Sequence, residues 1–338
     1  MNSMHRIFTA LCVVAVACCA ATCTSATINV PGGVGKVAAS VAIPAGTGAL
    51  GVGAGGVWAT SDTGPVLTRI DPRRDAVAAT IPMQLSRPCP AEAPGCGEVE
   101  AGQGGVWITH LDDGTVTRVD PSTNRVTATI KVGPKPSDVA VSPGAVWVAN
   151  SAGPSVSRID PATNRVVATI HLGPRSAASD RMTIAAGSGA VWVTLAKRYT
   201  LVRLDPATDK VVARIKLSWM QSGEPCGFVA AERSTVWAAG AHCAASSGYG
   251  VVTRMDARTN TVDKVIAGFK APIGVAIGFG SLWIADLDAK SIDRLDPQTG
   301  RIVGRLRVGG LPIRLGVGFG SLWVRDDGGR VLRITPAR

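Results

Sequence analysis

The stretch DPATNRVVATIHLG at residues 160–173 has close copies elsewhere in the chain. DPSTNRVTATIKVG occupies residues 120–133, and DPATDKVVARIKL occupies residues 205–217. The copies begin 40 residues (120 to 160) and 45 residues (160 to 205) apart. Recurrence at such distances is the signature of a repeat protein. The fold must therefore be predicted repeat by repeat.

Two anchor positions divide the chain into seven repeats. The first is a Trp preceded by Val or Leu, with consecutive copies between 40 residues (Trp107 to Trp147) and 49 residues (Trp58 to Trp107) apart. The second is an Arg that opens an Arg-Ile-Asp-Pro motif or a variant of it, and we predict that it is a structural strand residue. The anchors are Trp58, Trp107, Trp147, Trp192, Trp237, Trp283 and Trp323, followed by Arg69, Arg118, Arg158, Arg203, Arg254, Arg294 and Arg333.

Each repeat contains four runs that are typical of short β-strands. In the third repeat they are SDVAVS (137–142), AVWVAN (145–150), SVSRID (155–160) and RVVATIHL (165–172). These runs are rich in Val, Ile and Thr, and Gly, Pro, Asn or Asp separates them, as is usual for strands joined by tight turns. The spacing predicts four antiparallel strands in every repeat.

The recurring Asp-Pro-x-Thr-Asn segment is predicted to form the turn before the fourth strand. Pro favours the first turn position because its ring fixes φ, and the last slot needs a residue that tolerates positive φ. Asn, Asp and Gly are the residue types that enter this left-handed region most readily. They alone fill the slot in six repeats, as Asp75, Asn124, Asn164, Asp209, Asn260 and Gly300. The segment therefore recurs because a hairpin backbone requires it.

Four strands repeated seven times predict an all-β fold, a seven-bladed β-propeller of four-stranded antiparallel blades. The seventh repeat ends with RVLRITPAR (330–338) and lacks a fourth strand, whereas KVAASVAI (36–43) precedes the first repeat. We predict that the N-terminal strand 36–43 pairs with residues 330–335 and closes the ring. Closure of this kind removes the free sheet edges of a linear array.

These motifs resemble two propeller families over nearly the whole chain after its first residues. The unit NRVTATIKVGPKPSDVAVSPGAVWVANSAGPSVSRIDPATNRVVATI (124–170) is similar to YVTN-type seven-bladed propellers of the YncE kind. It also resembles the virginiamycin B (streptogramin) lyase-like propellers, with their G-x-x-P-x-x-V/I-A-x-G-x-G-x-x-W half-repeat. Such repeats encode the scaffold, so the resemblance implies the fold more than an activity.

The N-terminus predicts export. Residues 1–26, MNSMHRIFTALCVVAVACCAATCTSA, combine a short basic start, an apolar run of about 15 residues and small residues, the pattern of a secretion signal. A membrane span would need about 20 apolar residues. Cleavage after Ala26 is expected, with lipidation at Cys18 or Cys23 as the alternative. Residues 27–338 then form a single propeller domain in the periplasm or outside the cell.

Four cysteines remain after the leader, and in an oxidising compartment they predict two disulfides. Of the three connectivities, we favour Cys226–Cys243, since both residues flank the first hairpin of repeat five. Cys89 and Cys96 would then bridge an insertion that is rich in Pro. Ligation of a metal by the four thiolates is the alternative, which the spacing does not favour because no Cys-x-x-Cys is present.

The formal net charge of +11 includes a set of basic residues that follow the hairpin turns on one rim of the ring. Solvated turn residues that aid solubility are the favoured interpretation. A basic rim resting on anionic lipid or another polyanion is the alternative, which, with a lipid anchor, would give peripheral membrane contact. No aromatic residues are interleaved with the basic ones, so no nucleic-acid partner is expected. The rim residues are Arg73, Arg74, Arg125, Arg165, Lys210 and Arg301.

Candidate site residues lie at two positions of the repeat near one end of the central channel. Structural positions should be alike from repeat to repeat, but the positions three after and nine before the Trp vary and are mostly polar. Variation of this kind predicts a ligand site, although strand ends in water also collect polar residues. The candidates are Ser61, His110, Asn150, Asp286 and Asp326 after the Trp, and Glu98, Asp138 and Arg314 before it.

Two functions follow from these candidates. The favoured one is a monomeric, exported binding protein that recognises a protein partner or small ligand at the polar mouth, without a cofactor. The alternative is a carbon–oxygen lyase, because the lyase resemblance implies a His base with a Glu and magnesium. In such lyases many blades read Trp-Phe-Thr-Glu, but here the matching tetrads are WATS, WITH, WVAN, WVTL, WAAG, WIAD and WVRD. His110 would be the base under that alternative.

We further expect Arg314 to form an ion pair with Asp326, because both stand at the mouth end of the seventh repeat.

Overall fold

The computed structural model describes residues 33–46, 48–61, 65–83, 97–174, 180–217, 225–242 and 250–337. The predicted leader and Cys89, Cys96 and Cys243 lie outside these ranges, and only the backbone of Cys226 is described. The signal and both disulfides therefore stay predictions. Within the described ranges, no helix has the length and apolar character of a membrane span.

Seven antiparallel sheets form the blades of a ring, and four consecutive strands build each of the first four. Blade 1 holds β2 (Leu50–Gly53), β3 (Gly56–Thr60), β4 (Val66–Asp71) and β5 (Ala76–Pro82). Blade 2 holds β6 (Val99–Gly102), β7 (Gly105–His110), β8 (Thr115–Asp120) and β9 (Arg125–Lys131). Blade 3 holds β10 (Pro136–Ser142), β11 (Ala145–Asn150), β12 (Ser155–Asp160) and β13 (Arg165–His171). Blade 4 holds β14 (Ile184–Gly187), β15 (Ala190–Leu195), β16 (Thr200–Asp205) and β17 (Lys210–Lys216), with a 3-10 helix at Ala196–Arg198.

The remaining blades add a short strand and the ring closure. Blade 5 holds β18 (Pro225–Cys226), β19 (Val229–Glu232), β20 (Thr235–His242), β21 (Gly250–Asp256) and β22 (Thr261–Phe269). Blade 6 holds β23 (Pro272–Gly278), β24 (Ser281–Asp286), β25 (Ser291–Leu295) and β26 (Ile302–Arg307). Blade 7 holds β27 (Pro312–Gly318), β28 (Ser321–Asp326), β29 (Arg330–Pro336) and β1 (Gly35–Ala42). The innermost strands contact one another in a closed circle, since β2 contacts both β6 and β27.

The N-terminal strand closes the ring, as predicted. β1 pairs antiparallel with β29, from Gly35 opposite Pro336 to Ala42 opposite Arg330. This pairing supplies the outer strand that the seventh repeat lacks. Val34, just before β1, and Val41, within β1, are both buried. The predicted all-β, seven-bladed propeller is thus confirmed.

Each repeat Trp packs into the apolar layer between its own blade and the next. All seven are fully buried. Trp58 lies in one cluster with Val106 of blade 2, and Trp323 lies in another with Val57 of blade 1. Truncation of a buried Trp to Ala typically costs about 3–5 kcal/mol. This ring of seven side chains is therefore a main source of stability between blades.

The anchor Arg residues also connect neighbouring blades. In blade 2, the guanidinium carbon of Arg118 lies 4.9 Å from the ring centroid of Trp107. Its Nη1 donates to the Pro161 carbonyl at 2.6 Å and to Asn164 Oδ1 at 2.7 Å. Both acceptors lie in the turn between β12 and β13 of blade 3. Where that turn carries Asp, the contact becomes an ion pair, as between Arg333 and Asp75.

The turn residue consequently has two roles. All six slot residues have φ between 53° and 72°, which confirms the predicted left-handed backbone. The side chain adds an acceptor for the preceding blade, which the sequence interpretation had missed. Gly300 offers no side chain, and there Arg254 donates instead to the Gln298 carbonyl at 3.1 Å and lies 3.6 Å from Asp263.

Two variants of Asn164 separate these roles. Asn164→Gly keeps a residue suited to positive φ but removes the acceptor for Arg118, and we expect a cost of about 1.5–3 kcal/mol, the range for hydrogen bonds to charged groups. Asn164→Ala also strains the backbone, which adds about 1–2 kcal/mol. Urea unfolding of both proteins measures the difference. If the Gly variant matches the wild type, the side-chain contact contributes nothing.

Candidate functional site

Seven residues lie at or near the start of the innermost strands, nine residues before each Trp, at one end of the channel. We call this end the mouth; the hairpin tips lie at the opposite end of the same strands. A small pocket between blades 4 and 5 is lined in part by Thr183, Thr194 and Gly227. The seven mouth residues are Ala49, Glu98, Asp138, Thr183, Phe228, Gly274 and Arg314.

Arg314 of blade 7 reaches across the mouth. Its Nε donates to Glu98 Oε2 at 3.1 Å, and its Nη2 donates to Glu98 Oε1 in blade 2. On the far side, its guanidinium carbon lies 4.0 Å from the ring centroid of Phe228 in blade 5. Both side chains of the ion pair are only 13% exposed. Three blades are therefore joined through one planar cation.

Two further carboxyl groups, those of Asp138 and Glu100, lie close enough to Glu98 to feel its charge. Asp138 is buried and accepts hydrogen bonds from the Val139 and Ile184 amides, each at 2.8 Å. Burial, followed by the charge of Glu98, raises the pKa of Asp138 well above its usual value. Burial likewise raises the pKa of Glu100 to about 7, and Glu98 adds to the effect. Around Arg314 there are therefore three carboxyl groups, and two of them, those of Glu100 and Asp138, resist ionisation.

Glu100 and Phe228 were missing from the predicted site. The signal for Glu100 lies seven residues before the Trp, where the other six repeats carry only Gly or Ala. A lone Glu at a position otherwise reserved for small residues marks a departure from the scaffold. Phe228 stands at the same repeat position as Glu98 and Arg314, but a search for polar groups passes over it.

The residues three positions after the Trp are held within their own blades or against the neighbouring loop. His110 Nε2 lies 2.7 Å from Thr117 Oγ1. Asn150 Nδ2 donates to Ser157 Oγ at 3.0 Å. Ser61 Oγ donates to the Ala45 carbonyl at 2.7 Å. All three candidates are buried.

Asp286 and Asp326 show the same pattern. Asp286 accepts hydrogen bonds from the Lys270 and Ala271 amides at 2.9 and 2.8 Å. Asp326 accepts from the Arg330 amide and from its guanidinium. Both side chains are fully buried. The structure thus brings together Glu98, Asp138 and Arg314 and leaves the other candidates apart, so ligand contact at the latter stays a prediction.

The expected ion pair between Arg314 and Asp326 is wrong. The pairing of β27 with β28 shifts by one residue between Pro312 and Arg314, so Arg314 stands opposite Arg325. Directly opposed residues share a face of a sheet, and successive residues alternate faces. Asp326, next to Arg325, therefore points to the other face of the blade, where Arg330 pairs with it.

The lyase alternative finds little support at His110. Burial lowers the pKa of His110 to about 4, whereas a general base works best when its pKa lies near the working pH. In the described ranges, no three His, Cys, Asp or Glu side chains come together as ligands for a metal ion. Magnesium binding and catalysis at His110 stay predictions.

Comparison with known proteins places the fold but no family. The chain matches no protein-family model and no curated protein. Virginiamycin B lyase from Staphylococcus aureus is 14% identical, with a TM-score of 0.68 over 88% of this chain and 98% of its own. Hydrazine synthase from Kuenenia stuttgartiensis is 15% identical, with a TM-score of 0.69 over 87% and 97%. The Pan2 WD40 domain from Neurospora crassa is 12% identical, with a TM-score of 0.68 over 90% and 96%. These neighbours share the propeller fold with this chain.

Proposed function

We propose that the protein is an exported, YVTN-type binding propeller whose ligand binds at the mouth of the channel. The observation that carries this proposal is the convergence of Glu98, Asp138, Phe228 and Arg314 from four blades. Ala, Gly and Thr occupy the same position in the other three blades. A scaffold that accepts such small residues does not require the charged and aromatic ones. Their function is therefore recognition.

The chemistry of the mouth suits a ligand with an ammonium or guanidinium group. Arg314 already shows how a planar cation fits there, stacked on Phe228 and paired with Glu98. Glu100 and Asp138 are carboxyl groups with raised pKa values, so an incoming cation would favour their ionised forms. Cations also bind well over aromatic faces when water is excluded. The proposed ligand class is a small organic cation or a basic side chain of a partner protein.

Thermal unfolding with butylammonium and butylguanidinium as probes tests this function. We expect both cations to raise the melting temperature at pH 8, since a ligand that binds only the folded state stabilises it. The shift should shrink at pH 6, below the pKa of about 7 at Glu100, where that carboxyl is mostly protonated. Pentanoate, an anion of similar size, should have no effect.

Two variants locate the binding. Glu100→Gln should abolish most of the cation-dependent shift at pH 8 and remove its dependence on pH. Arg125→Gln, on the opposite end of the ring, is the matched control and should respond like the wild type. An equal response to pentanoate, or an unchanged response in Glu100→Gln, would contradict a cation site at the mouth.

A further inference from the structure

Two exposed phenylalanines occupy neighbouring hairpin tips at the end of the ring opposite the mouth. Phe279, at the tip between β23 and β24, is 40% exposed, and Phe319, at the tip between β27 and β28, is 47% exposed. The chain has only five Phe in total. The equivalent tip positions of the other blades carry Ala54, Gln103, Pro143, Ser188 and Arg233.

The backbone at these tips does not favour Phe. Both residues have φ of 53°, and a Gly with positive φ follows each. Two-residue hairpin turns with this geometry favour Asn-Gly, and a bulky residue at positive φ is an outlier. A Cβ added to Gly280 or Gly320 would meet no atom within 4 Å, so both tips project into open space. The turn geometry therefore does not explain the choice of Phe.

The basic rim lies on the same face as these tips. Arg118 shows that hairpin tips and rim turns lie at the same end of the ring. It donates to the Gly104 carbonyl of a tip at 2.9 Å and to the Pro161 carbonyl of a rim turn. The Asp that opens each rim turn bends back to its own backbone, as Asp120 does to the Ser122 amide at 2.7 Å. Of the basic side chains, Arg74 and Arg258 lie 3.7 and 3.5 Å from Asp71 and Asp256 of their own turns, and both remain exposed. The basic residues exposed on this face are Lys36, Arg73, Arg74, Arg125, Arg165, Lys210, Arg258 and Arg301.

We propose that this face docks onto a bilayer that contains anionic phospholipid. Phe279 and Phe319 insert between the headgroups, and the basic rim lies over the negative surface. Apolar side chains and nearby basic ones are the two features that together hold a protein at an anionic membrane. A second copy of the protein bound through the same face is disfavoured, because it would bring two basic rims against each other. Two separate tips flanked by Gly also form no groove for a peptide. Docking leaves the mouth facing solvent, so this proposal is independent of the ligand site.

Vesicle sedimentation of the chain from residue 27 tests the proposal. The described ring is complete from residue 33, so removal of the apolar leader leaves every described contact in place. We expect binding to vesicles of equal parts phosphatidylcholine and phosphatidylglycerol, and little binding to phosphatidylcholine alone. Binding should weaken between about 0.1 M and about 1 M salt, as the Debye length falls from about 10 to about 3 Å.

The variant Phe279→Asn/Phe319→Asn separates membrane contact from folding. Asn-Gly suits these turns, so the melting temperature should hold or rise, while vesicle affinity should fall about tenfold or more. Val167→Thr/Val212→Thr is the matched control, because these side chains are 50% and 51% exposed on the outer strands. Arg125→Gln/Arg165→Gln should weaken binding mainly at low salt.

Three results would overturn the proposal. The first is absence of binding to the anionic vesicles. The second is unchanged affinity in the Phe variant or an equal loss in the Val control. The third is binding to heparin or DNA without binding to vesicles, which would identify the basic rim as a site for soluble polyanions.

Discussion

A chain that begins at Gly46 should lose about 10 °C or more in melting temperature and aggregate on heating. This truncation removes β1, which pairs with β29 from Arg330 to Pro336, and it removes the buried Val34 and Val41. Burial of the two Val side chains alone contributes about 3–6 kcal/mol, and about 1 kcal/mol shifts the melting temperature of a domain of about 300 residues by about 1.5 °C. The lost pairing with β29 adds to this effect. The exposed edge of β29 would in addition offer unpaired backbone groups to other chains.

Two controls make this result specific to the strand. A chain that begins at residue 33 keeps β1 and should melt like the chain that begins at residue 27. A synthetic peptide of residues 33–45 should bind the truncated protein and restore part of the lost stability, because an open sheet edge accepts an added strand. A truncated protein that melts like the longer chain and stays soluble would show that β1 does not hold the ring closed.

The substitution Glu100→Gln should change the free energy of unfolding by about 3 kcal/mol more favourably at pH 8 than at pH 4.5. The pKa of Glu100 rises from 4.5 to about 7 on folding, so the folded state holds a proton that the unfolded state releases between these values. Stability from this group is therefore present below pH 4.5 and is lost as pH rises through 7. A shift of this size corresponds to about 3 kcal/mol. Asp138, with its raised pKa, acts in the same direction.

His110 opposes this trend and provides an internal check. Its pKa falls from 6.5 to about 4 on folding, because burial disfavours the charged ring. Stability from this group is present above pH 6.5 and is lost as pH falls through 4. Urea unfolding between pH 4.5 and 8 should thus give a stability profile for Glu100→Gln that rises relative to that of the wild type, and a profile for His110→Gln that falls more steeply than that of the wild type. Parallel profiles in all three proteins would mean that neither side chain is buried as described.

The candidate site was predictable only in part, and the reason is geometric. The repeat identified two strand-end positions as variable, and at one of them Glu98, Asp138 and Arg314 do meet. At the other, His110, Asn150 and Asp286 turn back to hydrogen-bond partners nearby. Variability along a repeat reveals where the scaffold tolerates change. It does not reveal whether a side chain points into the channel or back toward its own blade, since that depends on the local strand register.

The sequence by itself determined the number of blades, the left-handed turn at Asn164 and its equivalents, and the closing strand at the N-terminus. Each of these depends on short-range rules, namely alternation, turn chemistry and the count of strands per repeat. The tertiary structure alone decided that Arg314 pairs with Glu98, 216 positions away, and stacks on Phe228. It also decided which carboxyl groups carry raised pKa values. Distance across the ring and burial inside it arise only when seven blades close, so no local pattern encodes them.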